Sequence, residues 1–383
     1  MAGPDDGSLT LSRFESAAEL ESFLLQDALT RWEGLFGQPG WQWGPWFDGA
    51  FFPEGAPPIA NDNVAAPPRD HSDTNTQVAG VDEDDIVETD GDFLYILTGQ
   101  ELVIADAWQP SEMRVVSRME IDGQPIGEFL RGDRLTVLSN EYGGYYGPWL
   151  GGPAIDVAFF APPIGYEFAP PKVVVTVFDV TDREHPQIIQ RTKLDGSYID
   201  SRAVGDSAYV ITSDQFGLPQ PELICEENPE EVPPGGDVKP DIDVGFFPPF
   251  GQSCVYETRD AYLERVTGKI LELGLPQYES LNSVDQVIKS GWISQPTDTY
   301  KPITKEHWNL ISVSVFDMAG NEPGAVSSTS VPTTSTSTVY GSTDSLYLTN
   351  PDWGSSWGQS EATSILKFDI TDNNRKVDLA AVG

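Results

Sequence analysis

Val173-Val174-Val175-Thr176-Val177-Phe178-Asp179-Val180-Thr181-Asp182 is an apolar, β-branched run that breaks into turn residues. Asp206 follows Asp179 by 27 residues, in Gly205-Asp206-Ser207-Ala208-Tyr209-Val210-Ile211-Thr212. The first segment reads as a strand closed by an aspartate turn, and the second as a tight turn that opens another strand. Between them, residues 187–194 and 198–204 carry strand patterns separated by Asp195-Gly196. Four short antiparallel strands occupy this stretch.

The interval recurs. Asp106 and Asp133, like Asp317 and Asp344, are also 27 residues apart, and Asp122-Gly123 stands at the interior offset of Asp195-Gly196. Val315-Phe316-Asp317-Met318 and Lys367-Phe368-Asp369-Ile370 match Val177-Phe178-Asp179-Val180, with Val103-Ile104-Ala105-Asp106 a looser copy. Leu94-Tyr95-Ile96-Leu97, Leu135-Thr136-Val137-Leu138, Tyr209-Val210-Ile211-Thr212 and Leu346-Tyr347-Leu348-Thr349 form the other matching set. Spacing held this constant marks one supersecondary unit docked on the next. A unit of four antiparallel strands is the blade of a β-propeller, so the expected fold class is all-β with about four blades.

The variable intervals are equally telling. From turn aspartate to strand-ending aspartate the gaps are 14 (Asp92 to Asp106), 46 (Asp133 to Asp179), 111 (Asp206 to Asp317) and 25 (Asp344 to Asp369). With the strands of a blade named A to D outward from the axis, every insertion falls between B and C. In an antiparallel blade the B–C and D–A connections share a face, so the elaborations should gather there, as the expected binding surface.

Residues Thr74-Asn75-Thr76-Gln77-Val78-Ala79-Gly80-Val81-Asp82-Glu83-Asp84-Asp85-Ile86-Val87-Glu88-Thr89-Asp90-Gly91 resemble the opening motif of a family of secreted bacterial and archaeal proteins whose β-propeller domain is distantly related to WD repeats. Phe14-Glu15-Ser16-Ala17-Ala18-Glu19-Leu20, Tyr256-Glu257-Thr258-Arg259-Asp260-Ala261-Tyr262-Leu263, and Val339-Tyr340 with Asp344-Ser345-Leu346-Tyr347-Leu348 are similar to the same family. The resemblance implies fold and export, and it brings no assigned reaction and no catalytic residues. Members of that family usually continue for several more blades. The next turn aspartate after Asp369 would fall at about position 396, so the last blade here is expected to be cut in its outer strand, either because the chain is a fragment or because Leu9-Thr10-Leu11 supplies that strand to a four-blade ring.

Composition fits an exported globular protein. Hydrophobic residues make up 39% of 383 and aromatics 11%, with 36 Gly and 31 Pro, which is turn-rich and too aromatic for wholesale disorder. A formal net charge of −38 excludes nucleic acid and anionic membrane as partners through a global field. Such acidity suits salty water or simply a soluble exoprotein. No stretch reads as a transmembrane helix, and Met1-Ala2-Gly3-Pro4-Asp5-Asp6 lacks the regions of a signal peptide, so the export signal or anchor that the resemblance implies is not in this sequence. Given export, Cys225 and Cys254 are expected to form a disulfide; without CxxC or clustered His a metal site there is not supported.

Three regions follow: an amphipathic helix within 1–36, an aromatic Gly/Pro-rich linker over 37–73, and blades over 74–383 with a large insertion at about 215–307. Ser16 and Glu19 form a capping box, and Leu20, Phe23, Leu24, Ala28, Leu29, Trp32, Leu35 and Phe36 run at helical spacing for about five turns until Gly37, a face expected to dock on the propeller. Residues 259–273 read as one helix, and 284–288 as a further helical turn.

Candidate chemistry is sparse. Tyr142, Tyr145, Tyr146 and Trp149 in one insertion and Trp353 and Trp357 in another offer aromatic faces for a sugar or peptide, although such rings also commonly pin irregular loops. Asp82-Glu83-Asp84-Asp85 could hold a hard cation such as Ca²⁺, yet lacks EF-hand spacing, and a motif that solvates the entry to the first blade or caps the channel through hydrogen bonds is the favoured reading. Gly354-Ser355-Ser356-Trp357-Gly358 matches GxSxG without the strand–turn–helix context a nucleophile needs. His71, His185 and His307 are isolated. The sequence thus favours a binding or scaffold module for surface protein or glycan without a cofactor. Its rival is an extracellular hydrolase or lyase working through channel-mouth carboxylates.

Overall fold

The strand pairing repeats unit by unit. The computed structural model describes residues 11–39, 78–142, 144–146, 167–215, 217–227, 252–303, 307, 309–320, 324–334, 336, 338–352, 362–371 and 375–383. Helix α1 (Ala17–Arg31) comes first, then the two-residue strand β1 (Asp82–Glu83). Blade 1 pairs β2 (Val87–Thr89), β3 (Phe93–Thr98), β4 (Glu101–Asp106) and β5 (Arg114–Glu120) in that order. Blade 2 has β6 (Gln124–Arg131), β7 (Arg134–Glu141), a side hairpin of β8 (Gly144–Tyr146) and β9 (Glu167–Ala169), then β10 (Lys172–Asp179) and β11 (Gln187–Asp195). Blade 3 opens with β12 (Ser197–Val204) and β13 (Ser207–Gln215). Its insertion carries β14 (Leu223–Glu227), β15 (Gln252–Tyr256), α2 (Arg259–Val266), α3 (Ile270–Gly274), β16 (Gln277–Asn282) and β17 (Val287–Trp292), and the blade resumes with β18 (Asn309–Asp317) and β19 (Ser327–Thr333). Blade 4 is β20 (Val339–Gly341), β21 (Ser345–Asp352), β22 (Ala362–Thr371) and β23 (Lys376–Val382).

One backbone hydrogen bond recurs in all four blades and explains the paired aspartates. The N–H after each strand-ending aspartate donates to the carbonyl of the turn aspartate of its own blade: Ala107 to Asp92 at 2.9 Å, Val180 to Asp133 at 3.0 Å, Met318 to Asp206 at 2.9 Å and Ile370 to Asp344 at 2.9 Å. The aspartate side chains finish the turn, Asp179 accepting from the Thr181 amide at 2.9 Å and Asp317 from the Ala319 and Gly320 amides at 3.1 and 3.0 Å. The constant interval of 27 spans the outer strand of one blade and the inner strand of the next. All insertions sit between the two partners of a recurrent bond, so they lengthen without disturbing it.

Alternation along each strand feeds two seams. On β13, Tyr209 and Ile211 face blade 4 while Ala208 and Val210 face blade 2. Tyr95, Leu102 and Ile104 meet Leu135, Val137 and Phe178 between blades 1 and 2. Leu346, Leu348, Leu366 and Phe368 meet Ile311, Val313 and Val315 between blades 3 and 4. Burying each such side chain contributes about 1.5–3 kcal/mol, so the seams dominate cohesion. Among the described residues no core cluster joins blade 4 to blade 1.

The blade 3 insertion reaches outward as well as across the B–C face. Its β16–β17 hairpin adds to β11 and makes the blade 2 sheet six-stranded. Thr299 bridges Ser330 on the edge of blade 3, and Arg13 bridges Tyr300 beyond it. These additions cover edges that would otherwise be open to pairing.

Several expectations need correction. Blade 4 has its outer strand, β23, so it is not cut there; residues 12–14 instead run along 299–301. Residues 284–288 are not helical. They close the β16–β17 hairpin, where the Asn282 side chain accepts from the Val284 and Gln286 amides at 3.0 Å and Asp285 takes φ 59°. The 259–273 helix is split at Gly268, which has φ 77°. Helix α1 is capped by Ser16 and stops at Arg31, about four turns long. Its buried Leu20, Leu24 and Ala28 pack on Tyr262, Val266 and Ile270 of the insertion, and among the described residues only Leu310 of β18 joins them from a blade. No helix among the described residues is long and apolar enough to cross a membrane. The expected bridge is formed: Cys225 and Cys254 are bonded and stand opposite each other in β14–β15.

Gly123 and Gly196, the recurrent D–A glycines, have φ 77° and 110°, and a Cβ there would sit 2.5 Å from the Asn140 carbonyl oxygen and 2.9 Å from that of Ser213. Gly123→Ala and Gly196→Ala should each cost about 1–3 kcal/mol by chemical denaturation, and clearly more than Gly91→Ala, which has positive φ but open space. Equal costs at all three would refute close approach as the reason for the repeat. Cys225→Ser should cost about 3 kcal/mol and abolish a reduction-dependent gel shift of the wild-type chain. A wild-type chain without that shift would contradict the bridge.

Candidate functional site

Residues 81–89 form a strap along the inner strands. Val81 is buried in the seam of blades 3 and 4. Asp82 and Glu83 then pair with Ala203 and Arg202 of β12, the inner strand of blade 3. Asp85 bridges Glu128 on β6, the inner strand of blade 2, with the Glu128 N–H donating to the Asp85 carbonyl at 2.8 Å. Residues 87–89 then become the inner strand of blade 1. One segment thereby touches all four blades.

Each carboxylate of the acidic run has a separate protein partner. Arg131 reaches Asp82 at 3.0 Å and also donates to the Gly205 and Leu130 carbonyls. Arg202 lies 3.6 Å from Glu83 and also holds Asp200. Asp84 accepts from the Tyr198 hydroxyl at 2.9 Å and the Ser201 hydroxyl at 3.0 Å. It packs so closely on β6 that a Cβ at Gly127 would stand 2.5 Å from its Oδ2. Asp85 accepts from the Ile86 amide at 2.9 Å. The run is thus dispersed over two inner strands, β6 and β12, and among the described residues no group of three or more His, Cys, Asp or Glu gathers as a metal site would need.

Two glutamates, Glu88 within the strap and Glu128 beside it, escaped the sequence reading. Glu128 is fully buried and Glu88 nearly so. Burial first, and the Asp82 charge second, push Glu88 up to about 7, against the pull of Arg131. Burial and then Glu88 push Glu128 up to about 8, the Glu88 amide offsetting part of this. Asp200 is raised too, chiefly by burial, while Arg202 opposes the shift. The repeat register held the signal for Glu128: it stands five residues before Asp133, as the equally buried Ser201 stands before Asp206.

The aromatic candidates are only partly visible. Tyr142 is 74% exposed where β7 ends, and Tyr145 and Tyr146 lie on β8, paired with Phe168 and Glu167. Trp149, Trp353, Trp357, the GxSxG stretch around Ser356 and His71 lie outside the described residues, as does most of the 37–73 linker. His307 stacks on Phe23 and lies 3.4 Å from Asp27, and His185 is exposed beside Asp182. Two open clefts, of about 310 and 290 Å³, are lined by Asp298, Arg375, Lys376 and Asp378 and by Asp122, Arg191, Lys193 and Asp285. Neither cleft contains Glu88, Glu128 or Asp200.

None of the curated proteins matches this chain. Among solved structures it is similar to Kluyvelomyces marxianus Hsv2, at 10% identity and a TM-score of 0.17 over 76% of this chain and 81% of that one. It is also similar to Kluyveromyces lactis Hsv2p, at 9% identity and a TM-score of 0.16 over 78% of this chain and 97% of that one. These two likenesses carry no weight beside the strand pairing. The profile of the family described as "Beta propeller domain" matches residues 71–383, and the chain belongs to that family.

Proposed function

We propose that this chain is a binding or scaffold module that presents its B–C face to a surface protein or glycan outside the cell. The observation that carries the reading is the placement of the elaborations: the β8–β9 hairpin, the disulfide-linked β14–β15 hairpin and helices α2 and α3 all arise from B–C connections, whereas that of blade 1 is a tight turn between Thr98 and Glu101. A rigid set of blades carrying variable loops on one face is a common arrangement for recognition. Exposed Tyr142 at the root of the first insertion is consistent with an aromatic contact. The Cys225–Cys254 bridge and the charge of −38 support an oxidising, aqueous setting such as the cell exterior.

The hydrolase or lyase reading draws less support. It needs convergent carboxyls of separated acidity lining an open cleft. The carboxyls pushed upward among the described residues, Glu88 in the strap, Glu128 bridged to it and Asp200 beside Arg202, line neither cleft.

Glycan and surface-protein arrays probed with the exported protein should give selective binding, reduced at least tenfold when Tyr142, Tyr145, Tyr146, Trp149, Trp353 and Trp357 are changed together to Ala. Turnover of an arrayed glycan or peptide without retained binding would overturn the reading in favour of the enzyme.

A further inference from the structure

The seam between blades 1 and 2 is hydrocarbon along most of its length, with Tyr95, Leu102, Ile104, Leu135, Val137 and Phe178 buried in it. Its inner end is different. Glu88 is opposite Tyr95 in the β2–β3 register, and Glu128 is opposite Val137 in β6–β7. Directly opposed residues of an antiparallel pair share a face. Both carboxyls therefore enter the same seam from its two walls. Neither Glu128 oxygen nor Oε1 of Glu88 completes a hydrogen bond, and the nearby Glu88 amide offsets only part of the upward push on Glu128.

The charged groups facing the pair are Asp82 of β1, Asp85 of the bridge and Arg131 of β6. Two of the three are acidic, and the one cation is already engaged by Asp82 and two carbonyls. An ionised pair in this position would lack a counterion of its own, and burying a charge without one is strongly unfavourable.

We propose that Glu88 and Glu128 form a proton-held joint that loosens the inner ends of blades 1 and 2 as pH rises and the pair loses its protons. The sign follows from linkage. The folded chain holds protons that the unfolded chain releases near the ordinary glutamate value of 4.5, so the stabilising contribution is full below that pH. It declines as pH rises and is gone above about 8, once both folded-state carboxyls have ionised.

The test is thermal unfolding of the full chain from about pH 5 to about pH 9 for wild type, Glu128→Gln and Glu88→Gln, with amide exchange on β2 and β6 at each pH. Glutamine keeps the shape of the neutral acid. Wild type and Glu128→Gln should melt together at the acid end, diverge progressively as pH rises from about 5, and keep a constant gap above about 8, the variant being the more stable. In the alkaline range β2 and β6 amides of wild type should exchange several-fold faster than those of the variant, with β13 unchanged. Parallel melting profiles would overturn the proposal. So would Ca²⁺ restoring alkaline wild type to the level of the variant, because the pair would then be a cation site. Should neither variant fold, wild-type β2 and β6 exchange that keeps a fixed ratio to that of β13 across the range would also overturn it.

Discussion

The strap from Val81 to Thr89 must satisfy its backbone and four consecutive acids where the inner strands of the blades come together. The four acids are only part-exposed there, so protein partners replace much of their contact with water. The solution is a division of labour: two residues extend the blade 3 sheet, one bridges blade 2, and the last three found blade 1. Arg131 and Arg202 supply the compensating charge from neighbouring inner strands, and the Tyr198 and Ser201 hydroxyls satisfy Asp84. Remove that arrangement and the inner strands would present unpaired edges and uncompensated carboxylates to one another.

From this axis outward the structure is repetitive, and repetition is what made it legible. The recurrent bond from the end of strand C to the A–B turn demands a turn aspartate and a strand-ending aspartate in each blade, and the uninterrupted D and A strands between blades fix their spacing at 27. Asp122-Gly123 and Asp195-Gly196 recur because backbone passes within contact distance of a carbonyl on strand B. Insertions could be placed on one connection for the same reason. Where the chain leaves the repeat, pattern alone misled. The 284–288 segment has helix-like spacing, but Asn282 draws the local amides to its side chain and the residues become a hairpin on the edge of another blade. An edge supplied by a sequence-distant sheet is invisible to local periodicity. The outer strand of blade 4 is followed by no turn aspartate at the 27-residue interval from Asp369, so the spacing that marks the other outer strands is silent there.

The candidate site was legible in part. The acidic run stands out in the sequence, and each of its carboxylates has a hydrogen-bond or ion-pair partner within the protein. Glu88 and Glu128 did not stand out, because an isolated glutamate in a strand is ordinarily solvent-facing. Only the register that turns both toward one seam makes them unusual. The aromatic surface is a different case. Recognition by loops depends on where several insertions bring their rings, and spacing within each insertion does not contain that information.

Amide hydrogen exchange across residues 78–89 of the native protein tests the account most directly. If the strap is the axial joint, its amides should exchange slowly and in one cooperative unit with those of β6 and β12. Strap amides that exchange as fast as the exposed turn at Gly91 and Asp92, while β6 and β12 stay protected, would contradict it.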